Sequence, residues 1–309
     1  MSETQTGHQQ GEHKGTEGAT PGIEEVSGRQ ASLWADAWRE LRHNKLFIMS
    51  AALILILMLV AAFPQLFTNQ SPRDCQLERS LQGPSADHWF GIDILGCDYY
   101  TRVIYGARVS MIIGLSVTIF AVLIALLLGA AAGYYGGITD SLISRAVDII
   151  FGLPTVLGAI VILSVVSNRN LFWVTLVLVV LGWPTMTRLV RSSVLSVRDS
   201  DYVNAAKALG AGDMRIITRH VLPNAIAPVV VYATIYVGLI IAAEATLSFL
   251  GVGLQLPAIS WGLMISQAQT RVLSEPLLLL FPGLFLSVTV LSFILMGDAL
   301  RDALDPKLR

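Results

Sequence analysis

The sequence predicts an all-α polytopic membrane protein with six transmembrane helices, on two observations. Apolar stretches of roughly 20 residues recur six times along the 309-residue chain, each long enough to cross about 30 Å of hydrocarbon at 1.5 Å per residue. Charged residues make up only 14% of the chain and hydrophobic residues 54%, against roughly 25% charged in an average soluble domain. Buried helices of a large soluble protein seldom run this far without charge. Backbone groups in lipid must also be satisfied within their own segment, so stretches of this length are expected as helices.

Taken in order, residues 1–32 are rich in Gly, Gln, Glu and Thr and lack an apolar run. They are expected as a disordered cytoplasmic tail, not a signal peptide. Residues 33–67 hold a short interfacial helix and the first span. In the helix, Trp34–Asn44, the residues Trp34, Ala37, Trp38 and Leu41 share one face, and tryptophans beside basic residues suit the lipid interface. The first span is Phe47–Phe67.

Residues 68–108 form the longest external segment, made turn-rich by Pro72, Gly83, Pro84, Gly91 and Gly96. Both cysteines lie in it, Cys75 and Cys97. With the N-terminus inside, they face the oxidising side, where a bridge closing roughly 22 residues constrains the unfolded chain by about 3 kcal/mol. Two unpaired thiols are the alternative, and spacing alone does not choose between them.

Residues 109–302 carry the remaining five spans, and 303–309 form a cytoplasmic C-terminus. The second span is Val109–Tyr135. With the residues just beyond it, it sets Gly129, Gly133 and Gly137 four apart on one face, the spacing that lets helix backbones approach in lipid. The third, Ile143–Val166, carries Arg145 and Asp148 three apart, placed to pair. The fourth is Phe172–Leu189, the fifth Ala225–Leu250 and the sixth Leu277–Met296. Pro154, Pro184 and Pro282 interrupt the third, fourth and sixth, where each removes a backbone donor and favours a kink.

Orientation follows from the 21 Lys and Arg residues. An inward N-terminus leaves Arg73, Arg79, Arg102, Arg108, Arg169 and Arg271 outside and the other fifteen inside, so the positive-inside rule favours cytoplasmic termini.

Between the fourth and fifth spans, residues 201–222 read as two short helices. Ser200 or Asp201 caps the first, which places Tyr202, Ala205, Ala206 and Leu209 on one face. Gly210 and Gly212 end it. Asp213 caps the second, with apolar Met214, Ile217 and Val221, with Arg215 and Arg219 on another face, and with Pro223 as its stop. Such a pair serves either as a rigid lever seated in a soluble partner or as an amphipathic helix on lipid headgroups. Glu244 lies inside the fifth span, where an ionisable group is expensive. It either lines or gates the passage or pairs with Arg or backbone donors near the outer interface.

Several activities lack their residues. The four lysines are followed by Gly15, Leu46, Ala208 and Leu308, so no phosphate-binding GxxxxGK[ST] loop occurs. No metal-ligand spacing or paired acids suggest an enzyme, and no internal repeat favours an ion-coupled secondary transporter.

The run Tyr202-Val203-Asn204-Ala205-Ala206-Lys207-Ala208-Leu209-Gly210, with Leu222-Pro223-Asn224 downstream, resembles the coupling signature of ABC importer permeases. That signature is an EAA triplet, a Gly four residues later and a Leu-Pro. The stretch His88-Trp89-Phe90-Gly91-Ile92-Asp93 with Gly96, Asp98, Arg102, Gly106, Arg108 and Ser110 is similar to the C-type permeases of the dipeptide/oligopeptide (peptide/nickel) family. So are Glu244–Gly251 and Gly297–Pro306.

The resemblance covers Leu33 to the C-terminus. It implies the type I ABC importer permease fold, and a non-catalytic subunit forming half of a passage for di- or oligopeptides by alternating access. Nickel chelates or other peptide-like ligands are the alternative. Coupling to separate ATPases is implied through Tyr202, Asn204, Ala205, Ala206, Lys207, Gly210, Arg215 and Pro223. The implied partners are a homologous second permease, two ATPase subunits or one fused ATPase, an extracytoplasmic substrate-binding protein and membrane lipid, with no nucleic acid. ATP and Mg would act on the ATPases, and this chain would bind no cofactor or metal. Asn204 stands where the signature has Glu, which puts a salt bridge there in doubt. Cys97 stands where the group often has Arg, which fits a disulfide.

Overall fold

A computed structural model describes residues 33–304, apart from the side chains of Leu33, Trp34 and Asp36. The expected tail, residues 1–32, and residues 305–309 lie outside the described residues. The helices in chain order are α1 (Leu33–Leu41), α2 (Lys45–Ala62), α3 (Tyr99–Tyr135), α4 (Gly137–Phe151), α5 (Thr155–Val165), α6 (Leu171–Val197), α7 (Asp201–Ala208), α8 (Asp213–Ile216), α9 (Leu222–Ala225), α10 (Ala227–Phe249), α11 (Trp261–Ala268) and α12 (Leu277–Leu304). Among them α2, α3, α6, α10 and α12 are each long and apolar enough to cross a bilayer. Helices α4 and α5 make a sixth span if taken together, bent by 77°.

That bend falls at Pro154, where the sequence favours a kink, and it breaks the third span into two helices. Gly152 and Leu153 leave the helix and Pro154 begins the next one with extended ψ. Proline clashes with helical geometry at the residue before it and brings no N–H to continue the ladder. Pro184 and Pro282 instead lie within continuous α6 and α12. The expected Arg145–Asp148 pair is also replaced, since Asp148 accepts from Arg188 Nη2 of α6 at 2.6 Å.

Helix α1 forms, but Trp38 does not share its packed face. Ala37 and Leu41 are buried against Ala303 near the end of α12, while Trp38 is 61% exposed.

Helix α2 is capped by the Asn44 side chain, which accepts from Leu46 and Phe47 N–H. At its other end, Arg108 Nε and Nη2 donate to the carbonyls of Ala61 and Ala62, both at 2.9 Å. These are the orphan acceptors every helix C-terminus leaves.

Helix α3 begins ten residues before the expected span, because Asp98 accepts from Thr101 N–H at 2.8 Å and caps it there. Its 37 residues extend about 55 Å, well beyond the hydrocarbon layer. The charges that lowered the hydropathy of its first turns are neutralised internally. Arg102 pairs with Asp93, both 2% exposed, and Arg108 caps α2.

The segment between α2 and α3 is cross-linked. Cys75 and Cys97 are disulfide-bonded. Asp93 Oδ1 accepts from the N–H groups of Leu95 and Cys97 at 2.8 and 2.9 Å, and its Oδ2 meets Arg102. Removing one member of a buried pair strands the other charge. Arg102→Ala is therefore expected to cost about 3–5 kcal/mol, read as a lowered unfolding temperature in detergent. An unchanged midpoint would show that Asp93 needs no counter-ion.

The core is the packing of α3 on α6. A Cβ on Gly129 would lie 2.8 Å from the Thr187 carbonyl oxygen and from Val190 Cβ. One on Gly133 would lie 2.8 Å from Val194 Cγ1. Two of the three spaced glycines thus perform the close approach expected of them. Gly137 does not, because it opens α4 with φ +54° and has nothing near its Cβ position.

Helix α11 went unread in the sequence. Ser260 caps it, accepting from Leu263 N–H, and Trp261 is fully buried. The Trp261 Nε1–H donates to the Val103 carbonyl at 2.9 Å, which locks α11 to α3.

Candidate functional site

The candidate site is the segment 201–225 between α6 and α10, built on a rigid turn. At the end of α7, Gly210 N–H donates to Lys207 O at 2.9 Å and Ala211 N–H donates to Ala206 O at 3.1 Å. This pair of bonds is the Schellman arrangement, which needs a left-handed residue at the turn. Gly210 supplies it with φ +78°.

Ser200 occupies the N-cap position, but its hydroxyl donates to Val197 O at 2.6 Å and caps nothing in α7. Asn204 Nδ2 donates to the Asp199 carbonyl at 3.1 Å. An ionised glutamate has no proton to make that bond, so the departure from the acidic signature has a local use.

The face expected to be presented is only partly the one exposed. Val203 and Ala206 turn inward, whereas Tyr202 is 45% and Leu209 88% exposed. Asn204, Ala205 and Lys207 are exposed with them. Ala206 therefore packs against the body of this chain, because the apolar residue at 203 sets which stripe turns inward. On the second short helix Ile216, Ile217 and Val221 are buried, and Met214 is 70% exposed with Arg215 beside it. Tyr202, Leu209 and Met214 are thus three apolar side chains of this segment left facing outward.

Asp213 is the first residue of α8 and not its cap, a position held by Gly212. Its Oδ1 accepts from the Tyr134 hydroxyl at 2.9 Å, and Lys207 Nζ lies 5.7 Å from the centre of the same ring. Tyr134, at the end of α3, thereby ties both short helices to the core. Its role was missed because its partners lie some 70 residues or more away in the chain.

Pro223 does not stop the second helix. The run passes through a π-turn, Ile217–Val221, into α9, and Pro223 sits in the first turn of α9. Proline is tolerated in a first turn because its missing N–H has no partner to lose. The segment thus continues to Ala225, one residue short of α10 at Ala227. Residues 217–226 thus join α8 to α10 with little irregular chain between them.

Glu244 is fully buried in α10. Its Oε1 accepts from Ser248 Oγ at 2.8 Å and Ser260 Oγ at 2.9 Å. Ser248 Oγ accepts in turn from Leu254 N–H at 3.2 Å. The donors are neither Arg nor backbone N–H groups but two serine hydroxyls, and through Ser260 the carboxyl ties the start of α11 to α10.

Two family comparisons match. The family described as binding-protein-dependent transport system inner membrane component matches residues 121–309. The N-terminal transmembrane domain of oligopeptide transport permease C matches residues 32–84. Among curated relatives, the dipeptide transport system permease protein DppC of Alkalihalophilus pseudofirmus is 42% identical over 90% of this chain and 91% of its own. The oligopeptide transport system permease protein OppC of Bacillus subtilis is 38% identical over 93% of both chains. The glutathione transport system permease protein GsiD of Escherichia coli is 36% identical over 89% of this chain and 91% of its own. Among solved structures, an inward-facing MetNI methionine ABC transporter matches with a TM-score of 0.53 at 21% identity, covering 65% of this chain and 96% of that one.

Proposed function

The chain belongs to the family of inner-membrane components of binding-protein-dependent transport systems, the permease subunits of ABC importers, and from that premise we propose that it forms half of a passage for di- and oligopeptides. It is the non-catalytic, membrane-spanning component of such a system. The peptide assignment is supported by the dipeptide and oligopeptide permeases among its relatives. A nickel chelate or other peptide-like ligand is the weaker reading, since these relatives are named for peptide and glutathione transport.

The remaining parts of the machine follow as inference. The observation that carries the coupling role is the set of exposed apolar side chains Tyr202, Leu209 and Met214 on either side of a Schellman turn, in a segment that runs to within one residue of α10. A soluble ATPase docking there would pull on α8 and α9 and, through them, on α10. Asn204, Ala205, Lys207 and Arg215 border that contact. ATP and Mg act on the ATPase subunits, either two chains or one fused chain. A homologous second permease completes the passage, and a binding protein delivers the ligand outside. A disulfide suits the oxidising side, which supports the reading that the α2–α3 segment is external and both termini are cytoplasmic.

Reconstitution of the assembled transporter in liposomes tests the reading. ATP-driven, binding-protein-dependent uptake of a labelled tripeptide is expected, with no uptake of a nickel–histidine chelate. Uptake of the chelate alone would move the substrate class.

A further inference from the structure

We propose that the opening between the end of α2 and the disulfide-bonded segment is a docking pocket for a lysine or arginine side chain of the extracytoplasmic binding protein. The proposal rests on the importer reading above, which supplies that partner. It is carried by a cavity of about 370 Å³ whose walls are fixed and whose rim is chemically unfinished.

The walls are held from several directions. Thr68 Oγ1 and Thr101 Oγ1 are hydrogen-bonded at 2.6 Å across the base. Asp98 is fully used, accepting from Thr101 N–H at 2.8 Å and hydrogen-bonded to His88 Nδ1 at 2.9 Å. Tyr100 and Trp89 have ring centres 5.1 Å apart, and Tyr100 meets Phe90 edge-on at the same distance. Phe90 stacks on Phe281 of α12 at 3.8 Å. The disulfide closes the segment behind them.

The rim is different. Asp87 is exposed, and its carboxylate has no hydrogen-bond or ion-pair partner among the described residues. Trp89 is 64% and Leu66 77% exposed. Among the described residues none that lines the opening is basic. An unpaired carboxylate beside an open indole attracts an organic cation, through charge and through the ring face.

The source of that cation is argued from the surroundings. The ammonium group of a transported peptide would leave Leu66 and Trp89 in water, whereas a protein face covers them. A buried aromatic beside a charge is also the usual make-up of an energetic centre in protein interfaces.

The test uses the complete transporter in lipid nanodiscs of fixed composition and its purified binding protein. Asp87→Asn and Trp89→Ala should each weaken binding-protein affinity about tenfold, and Asp87→Lys should weaken it further. The salt dependence of affinity should fall in Asp87→Asn. Because these side chains are exposed, the variants should keep the Cys75–Cys97 disulfide, checked by mass spectrometry without reduction. Unchanged affinity in Asp87→Lys overturns the proposal. So does an effect confined to the uptake KM of peptides with a free N-terminus, spared by N-acetylated ones, which assigns the pocket to substrate. A wild-type complex lacking binding-protein-stimulated uptake would instead fail the importer reading itself, before any variant is compared.

Discussion

Leu209→Asp is expected to abolish ATP-driven uptake while the protein still folds and inserts. Leu209 is 88% exposed in the isolated chain, so the substitution removes no internal packing and strands no buried group. What it removes is the protruding apolar residue at the end of α7, one of three exposed apolar side chains in the segment with Tyr202 and Met214. If that residue seats in an ATPase groove, a carboxylate there must be desolvated without a partner. The loss is then on the order of 2 kcal/mol or more, roughly a thirtyfold drop in ATPase affinity. Pull-down of the ATPase, uptake in proteoliposomes and binding-protein stimulation of ATP hydrolysis should all fall together. Gly210→Pro attacks the same device through the backbone, since proline holds φ near −65° where the turn needs +78°. Normal uptake in Leu209→Asp would remove α7 from the coupling path.

Gly129→Leu is expected to prevent stable folding of the membrane bundle. Its backbone sits against α6 so closely that even a methyl group would fall 2.8 Å from the Thr187 carbonyl oxygen and from Val190 Cβ. Neither atom belongs to the far end of a flexible side chain. Helices α3 and α6 would have to separate, and over-packing of this kind costs about 1–3 kcal/mol or more. Lipid offers no hydrophobic drive to restore the contact. Thermal unfolding in detergent should fall sharply, with less protein recovered in the membrane. Gly283→Ala is the matched control: it lies in α12 with nothing within 4 Å of its Cβ position and should unfold at or slightly above the wild-type temperature. Equal midpoints for Gly129→Leu and wild type would show that the α3–α6 contact is not close-packed.

Much of the fold is legible because a bilayer imposes a length on every span. The six apolar runs and the Gly210 turn all arise from neighbours in the chain. The α3 start was misplaced for a physical reason. Arg102 and Arg108 read as loop charges until Asp93 and the α2 carbonyls are seen to neutralise them. Pro223 read as a stop because sequence alone does not reveal the π-turn before it. Asp148 read as the partner of Arg145 because the helix spacing allows it. The neighbouring helix supplied Arg188 instead.

The segment 201–223 divides the same way. Its amino-acid order fixes two short helices and a tight turn, since caps, glycine and apolar spacing act over one or two turns of backbone. Which face is left for a partner depends on what the body of the protein covers. Packing of Val203 and Ala206 takes one stripe and leaves Tyr202 and Leu209 outside. Likewise, both cysteines could be placed on one external segment from the sequence. Their bridge, the burial of Glu244 between two serines and the grip of Tyr134 on both short helices required the folded chain. Those contacts join residues whose order in the sequence carries no record of their distance in space.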